Sequence, residues 1–218
     1  MAYFWEKMVK LFLGKTIEVL VGTNHNPYSN LMKSSLLLIL SSFLLNCSSI
    51  FAINIGNDAP SFSLLDQNGE KWHSSDFLNK KNILIFFYPA AMTGGCTKQA
   101  CSYRDDFAKW QSREFEIIGI SGDKPENLKL FKKAENLNFT LLSDIDGKTA
   151  KAFGVPTGKG GQIQKFFQGE RFTLERGVTI KRWTFVISKG GKVIYRNDKV
   201  NAAKDSETVM ESISKSVK

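Results

Sequence analysis

Ile83-Leu84-Ile85-Phe86-Phe87-Tyr88-Pro89-Ala90-Ala91-Met92-Thr93-Gly94-Gly95-Cys96-Thr97-Lys98-Gln99-Ala100-Cys101 is the stretch around which this chain is organised. Its first six residues form a near-continuous apolar run, the pattern of a central strand covered on both faces. Ala100, Tyr103, Phe107 and Trp110 then recur at helical spacing. Cys96 therefore falls where a buried strand ends, a glycine-containing turn follows and a helix begins. Free backbone N–H groups and the positive end of the helix dipole meet at such a point. A thiolate there is stabilised, so the thiol ionises more readily. Thr93, three residues earlier, carries a hydroxyl within reach of the same sulfur or of an oxygen bound to it. A second thiol, Cys101, lies five residues on.

Pro89, Thr93 and Cys96 fill the pattern Pro-x-x-x-Thr-x-x-Cys, and in this the stretch resembles the peroxiredoxins. The run Cys96-Thr97-Lys98-Gln99-Ala100-Cys101-Ser102-Tyr103-Arg104-Asp105 is similar to their Q-type branch, the bacterioferritin-comigratory-protein group. That branch usually has Pro where Gly94 stands and Glu where Gln99 stands; neither change removes a reacting group. The family also carries Arg-x-Thr-Phe at the start of a late strand, which Arg182-Trp183-Thr184-Phe185 matches. Arg104 matches a further family position and reads as a residue of the helix surface or one that backs the site without touching substrate. The resemblance spans residues 55–218.

The resemblance implies an α/β fold, a thioredoxin-like sandwich with an N-terminal β-hairpin addition. It implies that Cys96 attacks a peroxide oxygen and becomes a sulfenic acid. Thr93 would hydrogen-bond the sulfur and the incoming oxygen, and N–H groups around Gly95 and Cys96 would donate to the peroxide. Pro89, with its fixed φ, would shape the loop and shield the sulfenic acid. Arg182 would favour the thiolate and bind the substrate oxygen. Cys101 would resolve the sulfenic acid to an intramolecular disulfide, recycled by a thioredoxin or glutaredoxin-like donor. Hydrogen peroxide and small alkyl hydroperoxides fit equally. No metal, haem or flavin is implied, and a monomer is expected. Two other functions stay open. A periplasmic thiol–disulfide oxidoreductase fits the fold but lacks a Cys-x-x-Cys and leaves Thr93 and Arg182 without a purpose. A silent binding module with a stapling disulfide would not need the Pro89, Thr93, Cys96 and Arg182 set. A peroxide-consumption assay separates the three.

Outward from the central stretch, Phe62 and Leu64 alternate as a strand, and Asp66-Gln67-Asn68-Gly69 has hairpin-turn chemistry. Lys71-Trp72-His73 returns as the partner, which makes His73 a hairpin residue rather than a base. Ser74 to Leu78 reads as a short helix. Downstream, Phe115 to Ser121 is a strand, and Pro125 opens a helix that turns Leu128, Phe131 and Ala134 inward. Thr140 to Ser143 is a short strand and Lys148 to Phe153 a short helix. Residues 156–180, punctuated by Gly158, Gly160, Gly161, Gly169 and Gly177, read either as a mobile flap or as a hairpin packing its aromatics. Arg182 to Ile187 and Lys192 to Tyr195 form a closing pair, and a last helix starts near Ala203.

The chain has 218 residues and suits one domain plus an extension, with enough length to bury a core without disulfide staples. Its net charge of +9 is spread along the sequence, which reads as a solvated basic surface and not as a nucleic-acid site. Three cysteines and two histidines, with no Cys-x-x-Cys, are too few for a zinc site. Met32-Lys33 followed by the apolar run Leu36 to Leu45 has the grammar of a signal peptide. Residues 1–31 are then an upstream extension of the reading frame or a membrane-associated arm, 32–52 the signal, and 53–218 the mature domain. Cleavage after Ala52 and lipidation of Cys47 are both compatible with this segment, with Asn46 a poor fit to a lipobox. The expected location is the periplasm or beyond, free or lipid-anchored. Either route takes Cys47 out of the thiol pool and leaves an even thiol pair, which suits an oxidising compartment.

Overall fold

The computed structural model describes residues 53–216. The readings of 1–31 as an extension, of 32–52 as a signal and of Cys47 as a lipid anchor lie outside the described residues. Strand β1 (Ser63–Asp66) pairs antiparallel with β2 (Lys71–His73). The Asp66 carboxylate closes their turn by accepting from the N–H groups of Asn68 and Glu70 at 2.7 and 2.9 Å. His73 ends β2, exposed to solvent. A short 3-10 turn, Ser74–Phe77, leads to β3 (Asn82–Phe87).

β3 runs parallel to β4 (Phe115–Ser121), which runs parallel to β5 (Thr140–Ser143). β8 (Trp183–Ile187) lies antiparallel on the other side of β3, and β9 (Val193–Asn197) antiparallel to β8. The sheet order is β2-β1-β5-β4-β3-β8-β9. β3 alternates its side chains between two cores. Leu84, Phe86 and Tyr88 enter one, and Ile83, Ile85 and Phe87 enter the other. All six are at most 1% exposed, which is why this run is apolar at every position and not at every second one. Each of the Ile, Leu and Phe side chains contributes roughly 1.5–3 kcal/mol on burial.

The helical spacing from Ala100 to Trp110 is realised in two pieces and not one. Helix α1 (Gly94–Asp105) ends at Asp106, and α2 (Phe107–Gln111) begins after it. At Asp106 the backbone (φ −92°, ψ 5°) leaves helical geometry. Its carbonyl accepts from the N–H groups of Lys109 and Trp110 at 2.9 and 3.2 Å, which starts α2, while its side chain accepts from Lys109 Nζ at 2.7 Å and from the Ser206 hydroxyl at 2.9 Å. Ala100, Tyr103 and Trp110 are nonetheless fully buried on one side of the sheet. The same side receives α3 (Pro125–Ala134) through Leu128 and Phe131, and α5 (Asp205–Ser216) through Val209. The opposite side receives α4 (Lys148–Ala152) through Ala150.

Residues 156–180 form a hairpin apart from the main sheet, β6 (Thr157–Phe167) against β7 (Glu170–Ile180). The two turn residues, Gln168 and Gly169, have φ of 52° and 84°, the signs a tight two-residue hairpin turn requires. The glycine content expresses close backbone approach more than mobility. A Cβ on Gly177 would sit 2.1 Å from the Ile145 carbonyl oxygen, and one on Gly160 would sit 2.2 Å from that of Gly177. Leu174 is buried, and Ile163 and Phe172 pack on the core that holds Cys96. Phe166 does not share in this packing, with 71% of its surface exposed.

Candidate active site

Tyr88 continues the buried line of β3, and Pro89 turns the chain out of the sheet into a loop. The loop is held from below: the Ala91 N–H donates to Asp123 Oδ2 at 2.9 Å. Met92 is in the left-handed region at φ 57°, which turns the chain sharply toward the helix. Thr93 is the N-cap of α1, with extended φ and ψ of −98° and 148°. The first helical hydrogen bond runs from the Thr97 N–H to the Thr93 carbonyl at 2.8 Å. The N–H groups of Gly94, Gly95 and Cys96 precede it and have no carbonyl one turn back. Cys96 is the third residue of α1 and 1% exposed, while Gly94 and Gly95 beside it are open to solvent. The buried sulfur thus lies in the first turn of a helix whose leading N–H groups have no helical acceptor.

Arg182 arrives from the adjacent strand. β8 pairs with β3 so that Trp183 lies opposite Phe87, and Arg182 precedes Trp183 at the end of β3 where the active loop starts. Its Nη2 donates to Cys96 Sγ at 3.2 Å. Gly95 leaves room for this, since a Cβ there would meet Arg182 Nη2 at 3.3 Å. Arg182 Nη1 donates to Gln99 Oε1 at 2.5 Å, and Gln99 is fully buried one turn along α1. A permanent cation in contact with the sulfur can stabilise charge on an oxygen bound there.

Thr93 is where the sequence placed it, but its hydroxyl does not donate to the sulfur. It donates to the Ala90 carbonyl at 2.9 Å. The backbone acceptor uses its one proton and leaves its lone pairs to accept from an O–H donor. Cys101 lies further along α1, half-buried, with Sγ 3.8 Å from Glu135 Oε2. Burial pushes its thiol up, and the Glu135 carboxylate adds to this against the opposing pull of Arg104. Cys96 and Cys101 are both free thiols. Arg104 is half-buried on α1, donating to the Glu135 carbonyl at 2.6 Å and paired with Asp105. The structure thus brings Arg182 to Cys96 in the first turn of α1, with Thr93 as that helix's N-cap and Pro89 at the head of the loop before it, and turns the Cys101 sulfur to Glu135 instead. Sequence reasoning missed Asp205, a buried carboxylate bonded to Gln99; an acid opening a helix reads as an ordinary exposed N-terminal residue.

The AhpC/TSA family matches residues 55–196 of this chain. Peroxiredoxin Bcp of Escherichia coli strain K12 is 38% identical over 158 residues, 72% of this chain and 94% of that protein. The chloroplastic peroxiredoxin Q of Populus jackii is 40% identical over 153 residues, 69% of this chain and 64% of that protein. The crystal structure of peroxidoxin BcpB from Mycobacterium tuberculosis superposes with a TM-score of 0.62 at 29% identity, covering 75% of this chain and 97% of that one.

Proposed function

Since the chain belongs to the AhpC/TSA family of peroxiredoxins, and since Arg182 Nη2 lies 3.2 Å from the Cys96 sulfur, we propose that it is a thiol-dependent peroxidase acting on hydrogen peroxide and small organic hydroperoxides. Its sheet and helices are the thioredoxin-like fold of that family. The contact between the cation and the buried thiol is the observation that carries the reading. The Cys96 thiolate attacks the terminal oxygen of ROOH in line with the O–O bond. That bond breaks, the RO⁻ fragment takes a proton and leaves as ROH, and the sulfur, oxidised by two electrons, holds the oxygen as sulfenic acid. Arg182 and the first-turn N–H groups face the charge that develops on the two oxygens. The Thr93 hydroxyl, its proton engaged by Ala90, accepts from the O–H of the peroxide.

In the second half-reaction the Cys101 sulfur attacks the sulfenic acid, water leaves, and a Cys96–Cys101 disulfide forms. A thioredoxin or glutaredoxin-like dithiol reduces it. We also propose that the chain is exported, on the signal grammar of residues 32–52, so that its donor is a periplasmic thiol fed across the membrane. N-terminal sequencing of the native protein should find a start at Ile53 or a lipid-modified Cys47; a peptide spanning Phe4 to Lys15 would contradict export by this route. For the active site, Arg182→Ala is expected to lower the rate constant with hydrogen peroxide by roughly 10²–10³-fold, the loss typical of one charge-stabilising donor. Stopped-flow oxidation of the reduced protein reads it, and an unchanged rate would remove Arg182 from the mechanism.

A further inference from the structure

Asp205, the first residue of α5, is 1% exposed. A carboxylate removed from water is costly unless donors face it. Three do, all on one oxygen: Gln99 Nε2, Tyr103 Oη and Thr184 Oγ1 each donate to Oδ2 at 2.7 Å. Two of these donors come from α1 and the third from β8, so one oxygen joins three elements. Burial pushes the Asp205 carboxyl up, and the three donors and the Arg182 charge pull it back. The other titratable groups around it are Tyr103 and Tyr195, which burial and the nearby carboxylate hold in the phenol form.

Gln99 has a restricted choice here. It is fully buried, and its amide nitrogen is engaged by Asp205, so its oxygen is the atom left for Arg182 Nη1. A glutamate could not donate to Asp205, and a leucine could neither donate nor accept. The other nitrogen of the same guanidinium rests on Cys96 Sγ. The contacts therefore run from Asp205 through Gln99 and Arg182 to the sulfur without a gap. We propose that Asp205 is a positioning residue: acting through the Gln99 amide, it fixes the Arg182 guanidinium against Cys96. The inference rests on the reading of Cys96 and Arg182 given above. Asp205 itself touches neither the sulfur nor the substrate.

The sign of the effect separates positioning from charge. Deleting a buried anion near the thiol would, by charge alone, favour the thiolate and speed its reactions. Loss of a fixed guanidinium slows them. The test compares Asp205→Leu, Gln99→Leu, their double variant and Asp205→Asn in the full chain. The readouts are the stopped-flow rate with hydrogen peroxide and the rate of iodoacetamide alkylation at Cys96, followed on its peptide by mass spectrometry. Each leucine variant is expected to lose about tenfold in the peroxide rate and to alkylate more slowly at neutral pH, as misplacement of a reacting group does. The double variant should lose no more than about twofold beyond either single one, because both break one relay. Asp205→Asn keeps an acceptor oxygen for all three donors and should retain most of the rate. A faster or unchanged Asp205→Leu, or losses that multiply in the double variant, would overturn the proposal. Should Asp205→Leu fail to fold, Gln99→Glu serves: it sets a carboxylate against Asp205 and should slow both reactions. Adding Asp205→Asn, whose amide can donate to Glu, should then restore most of the loss; no restoration overturns the relay. Alkylation of Cys96 needs no peroxide turnover, so it judges the relay independently of whether the wild type reduces peroxide.

Discussion

Cys96→Ser is expected to abolish peroxide reduction, with a fall of roughly 10⁴-fold or more, the scale seen when an enzyme loses its nucleophile. A serine hydroxyl is a weak nucleophile at neutral pH unless an adjacent base takes its proton. The side chain in contact with the residue 96 sulfur is Arg182, a permanent cation that cannot serve as that base. His73 cannot serve either, because it sits exposed at the end of β2, in the N-terminal hairpin. Cys101 is no substitute: its sulfur faces Glu135, and burial and that carboxylate both hold it as the thiol. Peroxide remaining after incubation with the reduced variant, measured colorimetrically, checks this. Wild-type-like consumption would move the chemistry to another residue.

Disulfide formation should dismantle the start of α1. Cys96 and Cys101 both lie inside the helix Gly94–Asp105. Five residues of α-helix rise about 7.5 Å and turn roughly 140°, which places the two Cα atoms about 8.7 Å apart. A disulfide spans at most about 7 Å between Cα atoms, and here the two thiols point to different sides of the helix. The first turns must therefore unwind after Cys96 is oxidised, and the contacts from Arg182 to Cys96 and Gln99 must part with them. The sequence makes this end easy to open. Gly94 and Gly95 are poor helix formers, and they and Lys98 are exposed. A limit to the opening is also visible. Tyr103 is fully buried, stacked on Phe86 with ring centroids 5.0 Å apart, and bonded to Asp205. Unwinding is expected to reach Cys101 and to fade at Tyr103, leaving α2 intact.

Much of this architecture is legible in the amino-acid sequence. The run Ile83 to Tyr88 reads as a strand covered on both faces because each of its residues enters one of two cores. The resemblance to peroxiredoxins places Arg182 beside Cys96 although 86 residues separate them, and the 3.2 Å contact agrees. What stays hidden depends on tertiary partners. The break at Asp106 comes with a side-chain bond from Ser206, a residue 100 positions away that local periodicity cannot register. The glycines of 156–180 leave a flap and an ordered hairpin both open; the structure has the hairpin, and Gly177 is needed where its backbone passes Ile145. The direction of the Thr93 hydroxyl is decided by the Ala90 carbonyl, a geometry of the loop and not of the motif. Asp205 is invisible to sequence reasoning because its burial follows from donors on two other elements.

The central claim is that Cys96 takes oxygen from peroxide and joins Cys101 only by unwinding α1. One measurement addresses it most directly: amide hydrogen exchange on the full chain, fully reduced and after one equivalent of hydrogen peroxide, with the cross-link mapped by mass spectrometry in the same sample. The account expects a Cys96–Cys101 bond, residues 94–101 exchanging almost as fast as unstructured chain, α2 still protected, and full recovery on adding a dithiol. A mapped Cys96–Cys101 bond with protection over 94–101 equal to that of the reduced protein, or peroxide left unconsumed with both thiols free, would contradict it.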